Sequence, residues 1–209
     1  SSEISLIHFV EKGLGTSEAH VQLELGEATM KLENLADDIF NGHGIKTGIS
    51  VRTGDFKDGI GEAAIEAKAM FVVMATKGIH GMQRWTGSNA IKVVLSGKNI
   101  PFVVVQELPK RTIPEHVVLP FSFERESRQK LGRVPQLAKL FDCVFHVISE
   151  PQSDEFIKNK TDINVNYASK YLADHDCKFT VSETEEGKAF HKEIVRFAAQ
   201  KQADLILIM

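Results

Sequence analysis

A glycine-rich segment in the first half of the chain has residue types and spacings that suit anion binding. Gly78 and Gly81 allow tight backbone turns and a close approach to a ligand. Gly87 and Ser88 then open a predicted helix, whose free N–H groups and dipole favour an anion such as a phosphate. The Ser88 hydroxyl could donate to that anion. The alternative is purely structural, because glycines often link strands to helices and serine is a common N-cap.

The other reactive side chains form no catalytic or metal-binding pattern in the sequence. None of the 8 histidines is spaced from cysteine or carboxylate residues as metal ligands are. No nucleophile elbow, Ser/His/Asp set or pair of catalytic carboxylates is present, so we expect no catalytic residues and no enzyme activity. Cys143 and Cys177 start strands that should be neighbours. Two buried thiols are the simpler interpretation, and a redox pair is the alternative.

Composition and charge are those of an ordinary globular protein. The 209 residues are 43% hydrophobic and 25% charged. The net charge of −3 argues against nucleic acid or an anionic membrane as the main partner. No apolar run reaches the roughly 20 residues that span a bilayer. Two cysteines suit a reducing compartment, so we expect a cytoplasmic protein.

Short apolar runs alternate with segments of helical periodicity along the whole chain. This alternation predicts an α/β fold with parallel sheets flanked by helices. The predicted strands cover residues 4–10, 45–51, 69–76, 101–106, 116–120, 143–148, 178–182 and 205–209. The predicted helices cover residues 17–40, 58–68, 88–96, 125–140, 163–173 and 188–201. We expect Pro135 to kink the helix that contains it.

The second half of the chain repeats the order of elements found in the first. Leu6–Val10 corresponds to Val144–Ile148, and Ala69–Met74 corresponds to Ala203–Ile208. A stretch with two prolines separates the halves. The repeat predicts one unit at 1–108, a linker at 109–114 and a second unit at 115–209.

The two units start and stop at different points of the repeated order of elements, which predicts a longer natural chain. The strand and helix at 116–140 have no counterpart before Ile4, and the loop, helix and strand at 76–106 have none after Met209. Because an apolar strand without neighbours leaves a bare sheet edge, we expect a further strand and helix in front. We also expect a further loop, helix and strand behind. The alternative is that the protein is naturally this short.

The segments Met74–Val94 and Ile100–Val105 together resemble the signature of universal stress proteins. In that family a buried strand leads into a glycine-rich loop, Gly-Ser starts a helix, and proline precedes the last strand. The resemblance covers nearly the whole chain as a tandem arrangement. It implies two Rossmann-like units of the adenine nucleotide alpha hydrolase-like type, each with strand order 3-2-1-4-5.

The resemblance implies an adenine nucleotide site, for ATP or a related molecule, in the first unit. The candidate nucleotide-binding residues are Ala75, Thr76, Gly78, Gly81, Gly87, Ser88 and Asn89. ATP-binding members carry a glycine where this chain has Ala75, and their loop is one residue longer than the eight residues between Gly78 and Gly87. In the second unit, Ser122 replaces the aspartate of those members. No metal is implied beyond Mg²⁺ carried by the nucleotide.

The resemblance also implies a biological role. We expect a non-catalytic stress-response protein that senses a nucleotide or binds a partner. We further expect self-association, or pairing of the two units, because the last strand often pairs with a second unit in this family. The alternatives are a nucleotide-independent scaffold or dimerisation protein and, less favoured, an adenylyl-transferring enzyme.

Overall fold

The computed structural model describes residues 3–13, 15–75, 93, 100–105, 109–185 and 187–209. Its α-helices and parallel strands confirm the predicted α/β class. The chain divides into two compact units, Ser1–Leu108 and Pro109–Met209. None of the described helices is both long enough and apolar enough to cross a membrane.

Two helices and four strands of the first unit are described. They are β1 (Glu3–Val10), α1 (Glu18–His43), β2 (Lys46–Thr53), α2 (Phe56–Glu66), β3 (Val72–Ala75) and β4 (Phe102–Val105). Strands β1 and β2 form one parallel pair, with Glu3 opposite Lys46. Strands β3 and β4 form another, with Val72 opposite Phe102. Among the described residues, no strand joins these two pairs into one sheet.

Capping residues set the ends of α1 and α2. The Ser17 hydroxyl accepts the N–H of His20 at 3.3 Å, as expected for an N-cap. Helix α1 ends at His43 rather than near residue 40, because Gly44 adopts a left-handed φ of 67° and donates its N–H to the Phe40 carbonyl. Helix α2 starts two residues before the predicted position because the Asp55 carboxylate caps it.

The second unit contains one continuous parallel sheet. Its elements are β5 (His116–Phe121), a 3₁₀ helix (Arg125–Arg133), α3 (Val134–Leu140), β6 (Val144–Ser149), α4 (Glu155–Asp174), β7 (Lys178–Glu183), α5 (Phe190–Gln200) and β8 (Leu205–Ile206). The strand order is β7-β6-β5-β8. The central strand β5 pairs with β6 on one side, His116 opposite Val144, and with β8 on the other, Val117 opposite Leu205.

Two helices of the second unit differ from the sequence prediction. A single helix over 125–140 kinked by Pro135 is wrong, because a 3₁₀ helix precedes a separate α3. Pro135 lies in the first turn of α3, where its missing N–H breaks no helical hydrogen bond. Helix α4 begins at Glu155, well before the predicted residue 163. The Asp154 carboxylate makes this possible by accepting the N–H groups of Phe156 and Ile157, both at 2.9 Å.

The main core of the second unit lies on both faces of β5. All five residues from Val117 to Phe121 are buried. On one face Leu119 and Phe121 pack with buried residues such as Phe145 and Leu172. On the other face Val118 packs with a smaller cluster that includes Ala198 of α5. A continuous apolar run is typical of a parallel strand that helices cover on both sides.

The described core of the first unit consists of two small clusters. One contains Val10, Val21 and Ala28, between β1 and α1. The other contains Ile60, Met74 and Val93. The ring of Phe9 packs at the edge of the second cluster and lies so close to Gly59 of α2 that a Cβ there would be 2.3 Å from it. Only glycine allows this approach of α2 to β1.

The Asp204 carboxylate fixes the amino end of the central strand in the second unit. Its Oδ2 atom accepts the backbone N–H of Glu115 at 2.8 Å and of His116 at 3.0 Å. Arg111 donates from Nη1 to Oδ1 at 3.0 Å. Burial alone would raise the pKa of Asp204, but these hydrogen bonds and the Arg111 charge hold it below its ordinary value. The carboxylate therefore stays ionised and ties three backbone or side-chain donors together.

Candidate functional site

The predicted nucleotide segment of the first unit begins at the carboxyl end of β3. Ala75, the first candidate residue, is the exposed last residue of that strand and lies opposite Val105 at the end of β4. In parallel sheets, ligands bind outside the carboxyl ends of the strands. The other candidates, Thr76, Gly78, Gly81, Gly87, Ser88 and Asn89, lie outside the described residues, as does nearly all of the predicted helix 88–96.

Val93 is the part of that predicted helix that the structure describes. It is helical, fully buried and packed with Met74 of β3 and Ile60 of α2. Val93 therefore lies in the same small cluster as Met74, the neighbour of Ala75 in β3.

The corresponding edge of the second unit is held by a buried asparagine. Asn164 of α4 is 2% exposed and donates from Nδ2 to the carbonyls of Ser122 at 2.7 Å and Glu124 at 3.0 Å. The Ser122 hydroxyl accepts the N–H of Glu124 at 3.3 Å. The Ser127 hydroxyl donates to the Glu124 carbonyl at 2.7 Å. The loop after β5 is thus held by Ser122 within it, by Ser127 of the 3₁₀ helix and by Asn164 of α4.

A buried lysine lies under the same loop. The Lys130 amine donates to the Pro120 carbonyl and lies 4.4 Å from the centre of the Phe121 ring. Burial lowers the pKa of Lys130 to about 8. The hydrogen bond satisfies a carbonyl near the end of β5, and the ring offsets part of the lost hydration through a cation–π contact.

A cleft of about 450 Å³ opens between this loop and α4. Three cationic side chains line it: Arg125, Arg128 and Lys160. Two exposed apolar side chains, Phe123 and Ile163, line it as well. The cleft therefore combines positive charge with apolar surface.

A second, smaller cleft of about 170 Å³ lies near the carboxyl ends of β6 and β7. Its lining includes the carboxylates Glu150, Asp162 and Glu183 and the amine of Lys158. Among the described residues, no three His, Cys, Asp or Glu side chains are grouped so that they could hold a metal ion. This cleft therefore offers no metal site in the described part of the chain.

Two histidines and a threonine form a hydrogen-bonded row across β5, β6 and β7. His116 Nδ1 lies 3.1 Å from His146 Nε2, and His146 Nδ1 lies 2.8 Å from the Thr180 hydroxyl. Burial lowers the pKa of the His146 imidazole, and the charges of His116 and Lys201 lower it further. If both imidazoles were protonated, two N–H groups would point at each other. The row therefore favours a neutral His146.

The two cysteines are buried free thiols in the same core cluster. Burial raises the pKa of Cys143 and of Cys177. A thiol kept protonated is a poor nucleophile, so both act as small apolar core residues. This arrangement supports the simpler of the two interpretations of the sequence.

Sequence reasoning missed several residues that organise the second unit. Asn164 offers a signal that could have been used, because it interrupts the apolar stripe that Ala168 and Leu172 continue on α4. A polar residue at an inward-facing helical position has to find hydrogen-bond partners. Arg128 and Lys130 gave no such signal, since their partners come from helix α4 and from strand β5.

The comparisons with known proteins concern the fold. No family model matches the chain, and no curated protein matches it. Among solved structures, a universal stress protein from Archaeoglobus fulgidus DSM 4304 is similar over 98% of this chain and 74% of that one, with 17% identity and a TM-score of 0.77.

Two solved structures from Pseudomonas aeruginosa are also similar. A candidate universal stress protein from strain UCBPP-PA14 matches over 97% of this chain and 80% of that one, with 14% identity and a TM-score of 0.55. A functionally unknown protein from strain PAO1 matches with the same coverages and identity and a TM-score of 0.54. At such identities the likeness concerns the fold, and it confirms the resemblance found in the sequence. The chain has the fold of universal stress proteins.

Proposed function

We propose that this protein is a cytoplasmic, non-catalytic stress-response protein that senses an adenine nucleotide through the segment from Ala75 to Asn89. The observation that carries the proposal is the position of Ala75 at the carboxyl end of β3, beside the end of β4, in a universal stress protein fold. The glycine-rich segment starts at this edge, where parallel sheets bind their ligands.

The chemistry of the segment suits the phosphates of a nucleotide. Gly78 and Gly81 leave the backbone N–H groups open to close approach, and Gly87-Ser88 adds a hydroxyl donor before a predicted helix. Hydrogen bonds from backbone N–H groups to an anion are charge-assisted and stronger than neutral ones. Mg²⁺, if required, would be held mainly by the phosphate oxygens of the nucleotide.

The second unit is not proposed as a nucleotide site. The position of the aspartate in ATP-binding members holds Ser122, whose hydroxyl is bonded to the Glu124 N–H. Its carbonyl is bonded to the buried Asn164. We therefore expect one nucleotide per chain, bound in the first unit, and association of units or chains as the signal.

A nucleotide-independent scaffold is the second candidate function. The sequence feature that favours it is Ala75 in place of the family's first glycine, together with a loop one residue shorter than in ATP-binding members. A shorter loop without that glycine leaves the phosphates less room. In this case the two units serve only to bind each other or a partner.

Calorimetric titration of the whole protein with ATP, ADP and AMP tests the proposal. We expect saturable heat with at least one nucleotide and an affinity about tenfold lower in the Ser88→Ala variant. Gly87→Ala should also weaken binding, because a residue with a side chain restricts the close backbone approach that glycine allows. Ser122→Ala in the second unit is the matched control and should bind as the parent protein does.

Three outcomes would contradict the proposal. Absence of heat at millimolar nucleotide would favour the scaffold. Equal affinity of the parent and the Ser88→Ala variant would place the ligand elsewhere. ATP turnover above that of the Ser88→Ala control would indicate an enzyme.

A further inference from the structure

We infer that the second unit has its own binding site for a small organic anion, in the cleft between the loop after β5 and α4. The ligand class is an apolar ring that carries a carboxylate or a phosphate. This inference does not depend on nucleotide binding by the first unit. The cleft volume of about 450 Å³ is within the range of small-molecule sites, which is about 300–1,000 Å³.

The guanidinium of Arg128 is fixed before any ligand arrives. Its Nε atom donates to Asn164 Oδ1 at 2.7 Å, and its Cζ atom lies 4.6 Å from the centre of the Tyr167 ring. Because Asn164 uses its Nδ2 group for two backbone carbonyls, its oxygen has to face Arg128. The guanidinium plane is therefore oriented, and a ligand would lose little entropy in ordering it.

Three cationic side chains and two carboxylates, Glu124 and Glu126, line the cleft, which leaves an excess of one positive charge. Across residues 109–185 and 187–209, neither Arg125, Arg128 nor Lys160 forms an ion pair. The carboxylates of Glu124 and Glu126 line the same cleft but form no ion pair with these three side chains. Among the described residues only the Nε atom of Arg128 has a hydrogen-bond acceptor, which leaves its Nη groups for a ligand. A guanidinium can donate to two oxygens of one anion, whether carboxylate or phosphate.

The apolar surface beside these cations indicates that the ligand also carries an apolar ring. Phe123 is 44% exposed and Ile163 is 58% exposed, although both line the cleft. Burial of such side chains against a ring would add a hydrophobic contribution to the charge contact. Inorganic anions would gain only the charge contact, and neutral rings only the apolar one.

NMR titration of the whole protein with four probes tests the site. The probes are phenyl phosphate, benzoate, inorganic phosphate and benzyl alcohol. We expect phenyl phosphate or benzoate to shift the backbone amides of Phe123, Arg125 and Ile163. We expect inorganic phosphate and benzyl alcohol, which each carry only one half of the ligand chemistry, to bind at least about tenfold more weakly. Comparison of the affinities of phenyl phosphate and benzoate shows whether the site prefers phosphate or carboxylate.

Variants separate the site from general attraction to a charged surface. Arg128→Gln should weaken the better probe about tenfold, and Phe123→Ala should weaken it severalfold. Lys192→Gln removes one exposed charge on α5 and should change nothing. Ser88→Ala should also change nothing, so failure here is distinct from failure of nucleotide binding in the first unit. Unchanged affinity in both Arg128→Gln and Phe123→Ala, or no shift of the three amides at millimolar probe, would overturn the inference.

Discussion

The two units have the same class of fold but differ in how their strands are joined. In the second unit β5 is hydrogen-bonded on both sides, to β6 and to β8. In the described residues of the first unit, β1–β2 and β3–β4 are separate pairs. The comparison shows what a central parallel strand contributes: it satisfies two rows of backbone groups and gives helices two faces to cover.

The cores of the two units reflect this difference. In the second unit the strand residues Phe121 and Phe145 are fully buried within one extended cluster. In the first unit Val73, in the middle of β3, is 60% exposed. We therefore expect the second unit to contribute more of the unfolding free energy, and three experiments test this expectation.

The largest effect is expected from Phe145→Ala in the second unit. Phe145 is fully buried, so removal of its ring leaves a cavity and should lower the unfolding free energy by about 3–5 kcal/mol. Hydrogen exchange detected by mass spectrometry measures the loss for each unit separately. Leu6→Ala in half-buried β1 is the matched control, with an expected loss of about 1–2 kcal/mol. Equal losses would show that the units do not differ as proposed.

A smaller loss is expected from Asp204→Ala. This change leaves the N–H groups of Glu115 and His116 without their acceptor and Arg111 without its partner. The unfolding free energy should fall by about 2–3 kcal/mol, measured by urea unfolding.

The surface ion pair between Arg52 and Glu66 in the first unit is the control for Asp204. Glu66 is exposed, so Glu66→Ala should cost less than about 1 kcal/mol. Because the pKa of Asp204 is lowered in the folded state, its contribution should persist above pH 4 and disappear as the pH falls below that value. A loss in Asp204→Ala no larger than that in Glu66→Ala would contradict the role of Asp204.

The smallest effect is a pH dependence confined to the second unit. The pKa of His146 is lowered by burial and by its neighbours His116 and Lys201. The unfolded chain therefore binds a proton at higher pH than the folded unit does, and stability should fall as the pH drops through about 6.5. His146→Gln should remove this dependence of stability on pH. His8→Gln, at an exposed position of the first unit, should leave the dependence unchanged. A slope that persists in His146→Gln would show that another group titrates.

Much of the fold could be predicted because strand residues and caps act locally. The apolar run at 116–120 predicted strand β5, and Ser17 predicted the start of α1. Strand register could not be predicted. The sequence repeat aligned His8 with His146. However, Val10 and Ser149 accept equivalent hydrogen bonds from Gly54 and Thr184, so the structural equivalent of His8 is Val147. A shift of one residue turns a side chain to the other face, and His8 is exposed while His146 is buried.

The candidate site could be predicted in part. Ala75 and Ser122 were recognisable because each stands at the end of an apolar strand, where the family pattern has a glycine or an aspartate. Asn164 was recognisable only as a polar residue within an apolar stripe, and Arg128 was not recognisable at all. Their contact joins α4 to the 3₁₀ helix across 36 residues of sequence. The chemistry of the glycine-rich segment can be inferred from its residue types. The chemistry of the cleft beside α4 can be inferred only once the packing of α4 is known.

The alternation of strands and helices, the Ser17 cap of α1 and the composition of the glycine-rich segment could be obtained from the sequence alone. These features depend on side chains within a few residues of one another, so local physical chemistry is sufficient. The observed order β7-β6-β5-β8 agrees with the order that the family resemblance implies. The anchoring of Glu115 and His116 by Asp204 and the orientation of Arg128 by Asn164 became known only from the tertiary structure. These contacts connect residues far apart in the chain, and their partners become defined only when the sheet is assembled.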